Sequence, residues 1–175
     1  MNTLITFKPL HEDNLALLHQ WFQKPHIKQW YARGESFTFE MIVEKYLSRI
    51  QNPNKIPNYM IHLDGNPIGY IQLYHLSYSL PDGVKAHNHP IFDEFKPEDI
   101  AGIDLFIAEE KYLGSGISCN ILTAFIENYI KGKFKAIVTD PVMQNTRAIS
   151  YFEKNGFKRL KHDADNLHQL MLYRI

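Results

Sequence analysis

The sequence predicts a single α/β (α+β) domain over residues 1–175, built on a central mixed, mostly antiparallel sheet flanked by helices. Two observations carry this expectation. Two hairpin patterns are legible, one turning at "DGNP" and one formed by "FKRLKHD" with "HQLMLYRI". Between and around them, helix-periodic runs alternate with short apolar runs, in the order β-α-α-β-β-β-α-β-α-β-β, which is the pattern of helices packed on a sheet. A chain of 175 residues is one domain of ordinary size, large enough to bury a real core.

The elements follow in order. "LITFKPL" (4–10) reads as a first strand, with Pro9 near its end. In "EDNLALLHQWFQ", Leu15, Leu18 and Phe22 recur at spacings of three and four, which predicts an amphipathic helix. Pro25 then reads as a break leading into "HIKQWYARGES". A second helix is expected over 38–50, with Thr38 as N-cap and Phe39, Ile42, Tyr46 and Ile50 on one face. "QNPNKIP" is a loop by its prolines and asparagines. "NYMIHL" and "IGYIQLYHL" are strands joined by the "DGNP" turn. From Ser77 to Ile100 the chain is polar and proline-punctuated, a long loop with a helical turn expected near Pro97. "GIDLFIAEE" (102–110) is the next strand, and "KYLGSGIS" leads into a helix through Lys131 on which Ile117, Ile121, Phe125 and Tyr129 recur every four residues. "FKAIVTD" (134–140) is a strand. "NTRAISYFEKN" is a helix with Asn145 as N-cap and Gly156 as its left-handed stop.

Composition excludes several function classes. Lysine plus arginine and aspartate plus glutamate both total 19, so the chain lacks the basic excess of a nucleic-acid binder. Cys119 is the only cysteine, which rules out an internal disulfide and suits a reducing cytosol. Placed among helix-periodic residues, it reads as a small buried hydrophobe rather than a nucleophile. The N-terminal stretch lacks the basic and apolar blocks of a signal peptide, and no apolar run reaches the length of a membrane span, so a cytoplasmic location is expected. His87 and His89 have no carboxylate or cysteine at ligand spacing, and no metal is expected.

The stretch with chemical content is "KYLGSGIS". Gly114 and Gly116 stand between a strand and a helix, where free amides and the positive helix end can face a phosphate. Taken alone, two glycines two apart fit a plain tight turn better than an anion site. No Gly-Lys-Ser/Thr follows, so this is not a Walker loop; no third glycine is present, so it is not a dinucleotide fingerprint.

Together with its neighbours, the loop resembles that of the GNAT superfamily of acyl-CoA-dependent N-acyltransferases. Lys111, Gly114 and Gly116 match that family's pyrophosphate loop, and Asn145, Ala148, Glu153, Lys154, Gly156 and Phe157 match its closing segment. "HIKQWYARGES", "DGNPIGYIQLY", "GIDLFIAE" and "VTDPVMQNTRAISYFEKNGF" are similar to the aminoglycoside 6'-N-acetyltransferases. The resemblance implies a GNAT-like fold and an acetyl-CoA-dependent enzyme acting on a small-molecule amine, a cationic aminoglycoside, with neither nucleic acid nor membrane as partner. Monomer and homodimer both stay open.

The resemblance also implies residue roles. Leu105, Phe106 and Ile107 would pair with pantetheine through their backbone; Lys111 and the amides of Gly114, Ser115, Gly116, Ile117 and Ser118 would hold the pyrophosphate. Asn145, with Ala148 and Phe152, would lie along the cofactor. Asp104 would bind or deprotonate the 6'-amine, Asp140 would contact it, and Trp30 and Tyr31 would line the sugar site. Each has a structural alternative: Asp104 could cap local amides, Asp140 could start the turn with Pro141, and the aromatic pair could be core. The acids of the long loop, Asp82, Asp93, Glu94, Glu98 and Asp99, suit a polycationic acceptor, although they also serve simple solvation. Other acceptors remain open: another amine, a siderophore hydroxylamine, or none in a catalytically weak acyl-CoA-binding module.

One position departs from the family pattern. The tyrosine that can protonate the departing thiolate stands seven residues after the asparagine, and here that place is Phe152. Tyr151 is rotated about 100° from it on a helix. The expectation is that the thiolate leaves unassisted or takes a proton from water, since a thiol is a modest acid. Delivery by Tyr151 through a local distortion and impaired catalysis are the alternatives.

Overall fold

The computed structural model describes residues 4–161 and 167–175. Their seven strands are hydrogen-bonded in the order β1-β2-β3-β4-β5-β7-β6. These are β1 (Ile5–Pro9), β2 (Asn58–Leu63), β3 (Asn66–His75), β4 (Ile100–Ile107), β5 (Ala136–Thr139), β6 (Lys158–Arg159) and β7 (Met171–Arg174). The chain divides into two compact units, Met1–Gln72 with Leu105–Leu113, and Leu73–Asp104 with Gly114–Ile175.

In the first unit, β1 pairs antiparallel with β2, and β2 with β3. The turn between β2 and β3 is two residues long, Asp64-Gly65, both at positive φ (49° and 84°), as a tight twisted hairpin turn requires. Helix α1 (Leu15–Phe22) buries Leu15, Leu18, Trp21 and Phe22, the face its spacing predicts. Thr38 accepts from the Met41 amide and starts α3 (Phe39–Gln51). Ile42 and Tyr46 of α3 are buried and Ile50 is half-buried; Phe39 is exposed, because at the first helical position it lies beyond the edge of the core. Pro25 does not break the chain but opens a further helix, α2 (Pro25–Trp30), at the first-turn position where a missing N–H costs nothing. The core gathers Trp21, Phe22, Tyr46, Tyr70 and Phe106, with Tyr31 packed against it.

In the second unit, β4 and β5 run parallel, β5 and β7 antiparallel, and β6 pairs with β7. The parallel ladder covers only Ile100–Gly102 against Ala136–Val138, and β4 continues for five residues past it. Helix α5 spans Gly116–Phe125 and passes into a wide helical turn, Ile126–Ile130. In that turn Ile126 and Ile130 are buried, and Tyr129 is half-buried with its ring stacked on Phe125. Helix α6 (Thr146–Lys154) starts on Asn145, whose Oδ1 accepts from the Ala148 amide, and ends at Gly156 with φ 91°.

The long segment before β4 is more ordered than its composition suggests. It contains a single-turn helix, α4 (Ile91–Glu94), and a short 3-10 turn at Pro97–Asp99. Val84 and Ile91 are buried, the Gly83 amide donates to Asp140, and Arg174 forks onto Glu94 at 2.6 and 2.7 Å. The closing hairpin forms as expected, with the end of its predicted first arm, His162 and Asp163, outside the described residues.

Candidate active site

Most site residues implied by the sequence fall on β4, the start of α5 and the start of α6. In the first unit, the end of β4 turns the Phe106 ring into the core. Phe106 is 7% exposed and stacks on Tyr70, ring centres 5.6 Å apart at 25°. Gly69 makes this approach possible: a Cβ there would lie 2.4 Å from the Phe106 carbonyl oxygen. Ile107 is buried, and its carbonyl accepts from His26 Nε2 at 3.0 Å. Leu105 is half-buried.

Helix α2 is tied to the residues after β4. His26 Nδ1 lies 3.2 Å from Glu110, and Lys24 donates to Glu109 at 2.9 Å. The Lys24 hydrogen bond holds the Glu109 carboxyl below the usual range. Nothing in the sequence pattern singled out His26; its partner lies 81 residues away. The aromatic pair at the end of α2 has divided fates. Tyr31 packs edge-on against Phe22 and Phe106, at 5.7 and 4.8 Å, as part of the core wall. Trp30 is half-buried. Lys111 is exposed, with its ammonium 4.9 Å above the Tyr112 ring.

In the second unit, Asp104 is half-buried near the end of β4, past the β5 ladder. Gly114 has φ 73°, a conformation that side chains disfavour, and turns the chain toward α5. A Cβ on Gly116 would meet nothing within 4 Å, so the backbone at the helix start faces open space. Ser115 precedes α5 without making a side-chain cap; the Ser118 amide donates to the Ser115 carbonyl at 3.3 Å, and the Gly116 and Ile117 amides come before the helical ladder begins. Ile117 is half-buried; Ser118 is buried, and its hydroxyl donates to the Ser115 carbonyl at 2.9 Å. This is an anion-accepting geometry: uncapped amides at the positive end of a helix. The Arg147 guanidinium adds to it, with Nη2 3.5 Å from where a Gly114 Cβ would stand. Sequence reading passed over Arg147, although a cation in the first turn of a helix is itself an unusual placement.

On α6, Asn145 and Ala148 are joined through the cap and both are half-buried. Phe152 is 6% exposed and packs edge-on with Tyr151 and Phe157. Tyr151 points elsewhere: its hydroxyl donates to the Ser118 carbonyl at 2.7 Å, and burial pushes its phenol above the ordinary tyrosine range. Asp140, 9% exposed, accepts from the Gly83 amide at 2.9 Å. Two loop acids are engaged in ion pairs, Glu94 with Arg174 and Asp99 with Lys135, while Asp93 and Glu98 are exposed. His87 stacks on Phe92, and His89 accepts from the Ile91 amide, so both histidines have packing roles. Among the described residues no group of three His, Cys, Asp or Glu is placed to hold a metal ion, and no helix is long and apolar enough to cross a membrane.

Comparison with known proteins agrees with this geometry. Residues 11–163 match the family described as Acetyltransferase (GNAT) domain. The chain is 31% identical over 160 residues to the aminoglycoside N(6')-acetyltransferase type 1 of Klebsiella pneumoniae, covering 90% of this chain and 76% of that protein. Among solved structures it is similar to the aminoglycoside acetyltransferase AAC(6')-Ib in complex with coenzyme A, with a TM-score of 0.80 and 29% identity over 98% of this chain and 95% of that one. The same enzyme with ribostamycin and coenzyme A gives a TM-score of 0.81 at 29% identity, over 97% and 93% of the two chains. With its family model matched over most of its length and a relative at 31% identity, the chain belongs to the GNAT acetyltransferase family.

Proposed function

We propose that this acyltransferase moves an acetyl group from acetyl-CoA to the 6'-amine of an aminoglycoside. The relatives' activity supports the acceptor, and the open, uncapped start of α5 supports the donor. The latter observation carries the reading, because the diphosphate of coenzyme A is the anion that such a start accommodates.

Acetyl-CoA supplies a thioester whose acyl carbon is open to an amine. Leu105, Phe106 and Ile107 would hold the pantetheine arm through their main chain, and Lys111 with the glycine turn and the start of α5, Gly114 to Ser118, would hold the diphosphate. Asn145 and Ala148 at the start of α6, with Phe152 behind them, flank the arm. Asp104 takes the proton that the amine loses as its C–N bond forms and the C–S bond breaks. The thiolate leaves without a tyrosine donor: Phe152 has no hydroxyl, and Tyr151 spends its proton on Ser118. Asp140 contacts the amine, and Trp30 and Tyr31 are assigned to the sugar. Synthesis in the cytoplasm, where acetyl-CoA is made, fits this chemistry.

The test is thiol release from acetyl-CoA in the presence of kanamycin or tobramycin. Turnover well above background supports the assignment, and none with any aminoglycoside sinks the acceptor while leaving the cofactor testable by calorimetry. A second reading keeps the donor but gives the acceptor less positive charge. It is favoured by the engagement of Glu94 and Asp99 with basic partners, which weakens the acidic character of the long loop. Turnover with a broad amine panel but not with aminoglycosides identifies that case.

A further inference from the structure

Arg49, near the end of α3, is a half-buried cation that has no carboxylate partner among the described residues. Its Nη1 donates to Gln72 Oε1 at 2.5 Å, an oxygen that also accepts from the Tyr70 hydroxyl at 2.8 Å. Both of these neighbours are neutral. The guanidinium carbon lies 5.3 Å from the centre of the Tyr46 ring. No described residue accepts from Nε or Nη2, the edge with which Arg159 and Arg174 each fork onto a glutamate in this same chain. One helical turn earlier, the Lys45 ammonium stands 5.6 and 5.9 Å from the Tyr46 and Tyr31 rings. Like charges four residues apart on one helix face repel. The acids of α3, Glu40 and Glu44, are exposed and lie about 100° or more around the helix from both cations. The tyrosine wall beside the two cations reaches the acceptor side, because Tyr31 and Tyr70 meet edge-on at 6.3 Å.

We propose that Arg49 is a carboxylate-binding residue, and that the protein acetylates amines that carry a carboxylate as well as aminoglycosides. This rests on the acetyl-CoA donor assigned above and not on the aminoglycoside acceptor. Nε and Nη2 form a planar fork that matches both oxygens of a carboxylate. Tyr46 fixes the plane of that fork from one side and Gln72 fixes its far corner. A bound carboxylate offsets the repulsion between Lys45 and Arg49, whereas a polycationic sugar gains nothing from this pair. The ligand that fits is therefore an amino acid or a peptide-like amine, its anionic end on Arg49 and its amine as the nucleophile. The transfer is unchanged: the N–C bond to the acetyl carbon forms, the thioester C–S bond breaks, and the amine's proton passes to Asp104.

The experiment measures thiol release from acetyl-CoA with two matched pairs of amines, lysine against 1,5-diaminopentane and ornithine against 1,4-diaminobutane. Each pair keeps the terminal amine and differs by one carboxylate. Wild type, Arg49→Gln and Arg49→Lys are compared, with kanamycin as a further acceptor. The expected result is a wild-type kcat/KM at least about tenfold higher for the amino acid than for the diamine in one pair or both, carried mainly by KM. In Arg49→Gln that ratio should fall to about one, and Arg49→Lys, which keeps the charge but loses the fork, should retain only part of it. A wild-type ratio near one overturns the proposal, as does turnover of kanamycin with neither pair accepted. A merely structural arginine would lower turnover of both members alike and leave the ratio standing in Arg49→Gln, and that outcome overturns it too. Should Arg49→Gln fail to fold, an undiminished ratio in Arg49→Lys does the same. Absence of thiol release with every amine, kanamycin included, refutes the acyltransferase reading and the proposal with it, a result distinct from the others.

Discussion

The hydroxyl of Tyr151 donates a 2.7 Å hydrogen bond to the main-chain carbonyl of Ser118, joining α6 to the first turn of α5. The ring beside the expected donor position is thereby an anchor for the start of α5. Tyr151→Phe should lower stability by about 1 kcal/mol, the net worth of one such bond, measured by chemical denaturation. Turnover should change by only a few-fold, and a hundredfold loss with cofactor affinity intact would restore Tyr151 as the acid.

The same residue makes stability depend on alkaline pH. Burial raises its phenol pKa in the folded chain, so above a pH of about 10 the unfolded chain releases a proton that the folded one retains. This contribution is complete below the ordinary tyrosine range and declines as pH rises through it. Denaturation midpoints should fall on the alkaline side in the wild type, and less steeply in Tyr151→Phe. Parallel slopes in the two proteins would refute the linkage.

Two glycines should answer to alanine in opposite ways. At Gly69 a Cβ would stand 2.4 Å from the Phe106 carbonyl oxygen, so backbone must move, at a cost on the order of 1–3 kcal/mol. At Gly116 the space is open, and Gly116→Ala should leave stability unchanged or raise it by about 0.4–1 kcal/mol. Coenzyme A affinity should fall in Gly116→Ala if the diphosphate approaches this backbone. Melting curves and calorimetry on the two variants separate packing from binding.

The two aspartates should also part. Asp104→Asn should lower kcat/KM by about a hundred- to ten-thousandfold with cofactor affinity nearly intact. Asp140 holds the buried Gly83 amide, so Asp140→Ala should cost about 1–3 kcal/mol of stability, whereas Asp140→Asn, which keeps an acceptor oxygen, should cost less. If Asp140→Asn retains stability but loses affinity for the amine, Asp140 serves as anchor and amine contact together.

The segment before β4 should loosen in acid. Hydrogen bonding to Arg174 lowers the Glu94 pKa, so this tether is present above the ordinary carboxylate range and is lost as pH falls through the lowered value. Amide exchange over residues 91–95, normalised for its intrinsic pH dependence, should show weaker protection there, and Arg174→Ala should reproduce that loss at neutral pH. Protection that persists in both cases would show that burial of Val84 and Ile91 suffices.

How much of this was legible beforehand varies by residue, and the range of the interaction explains why. The Thr38 and Asn145 caps, the Asp64-Gly65 turn and the left-handed Gly156 are local, and a few adjacent residues determine each. Pro25 was ambiguous because a proline that ends one helix can equally open the next. The wide turn after Phe125 leaves no compositional mark; the four-residue spacing still brings Tyr129 onto the buried Phe125 ring, 4.9 Å away, but does not report the change of helix type. Arg174 with Glu94, His26 with Ile107 and Arg147 with Gly114 join positions far apart in sequence, and no periodicity reports them.

The order of strands has a bearing on how concentrated solutions of the protein behave. The sheet ends at β1 on one rim and β6 on the other, and an open rim is a template for a foreign strand. β1 carries exposed Lys8 and Pro9, a charge and a residue with no N–H to offer; β6 is two residues long, both basic and exposed. Each rim thus resists strand addition by its own chemistry, which protects a net-neutral chain from ordered aggregation where charge repulsion cannot.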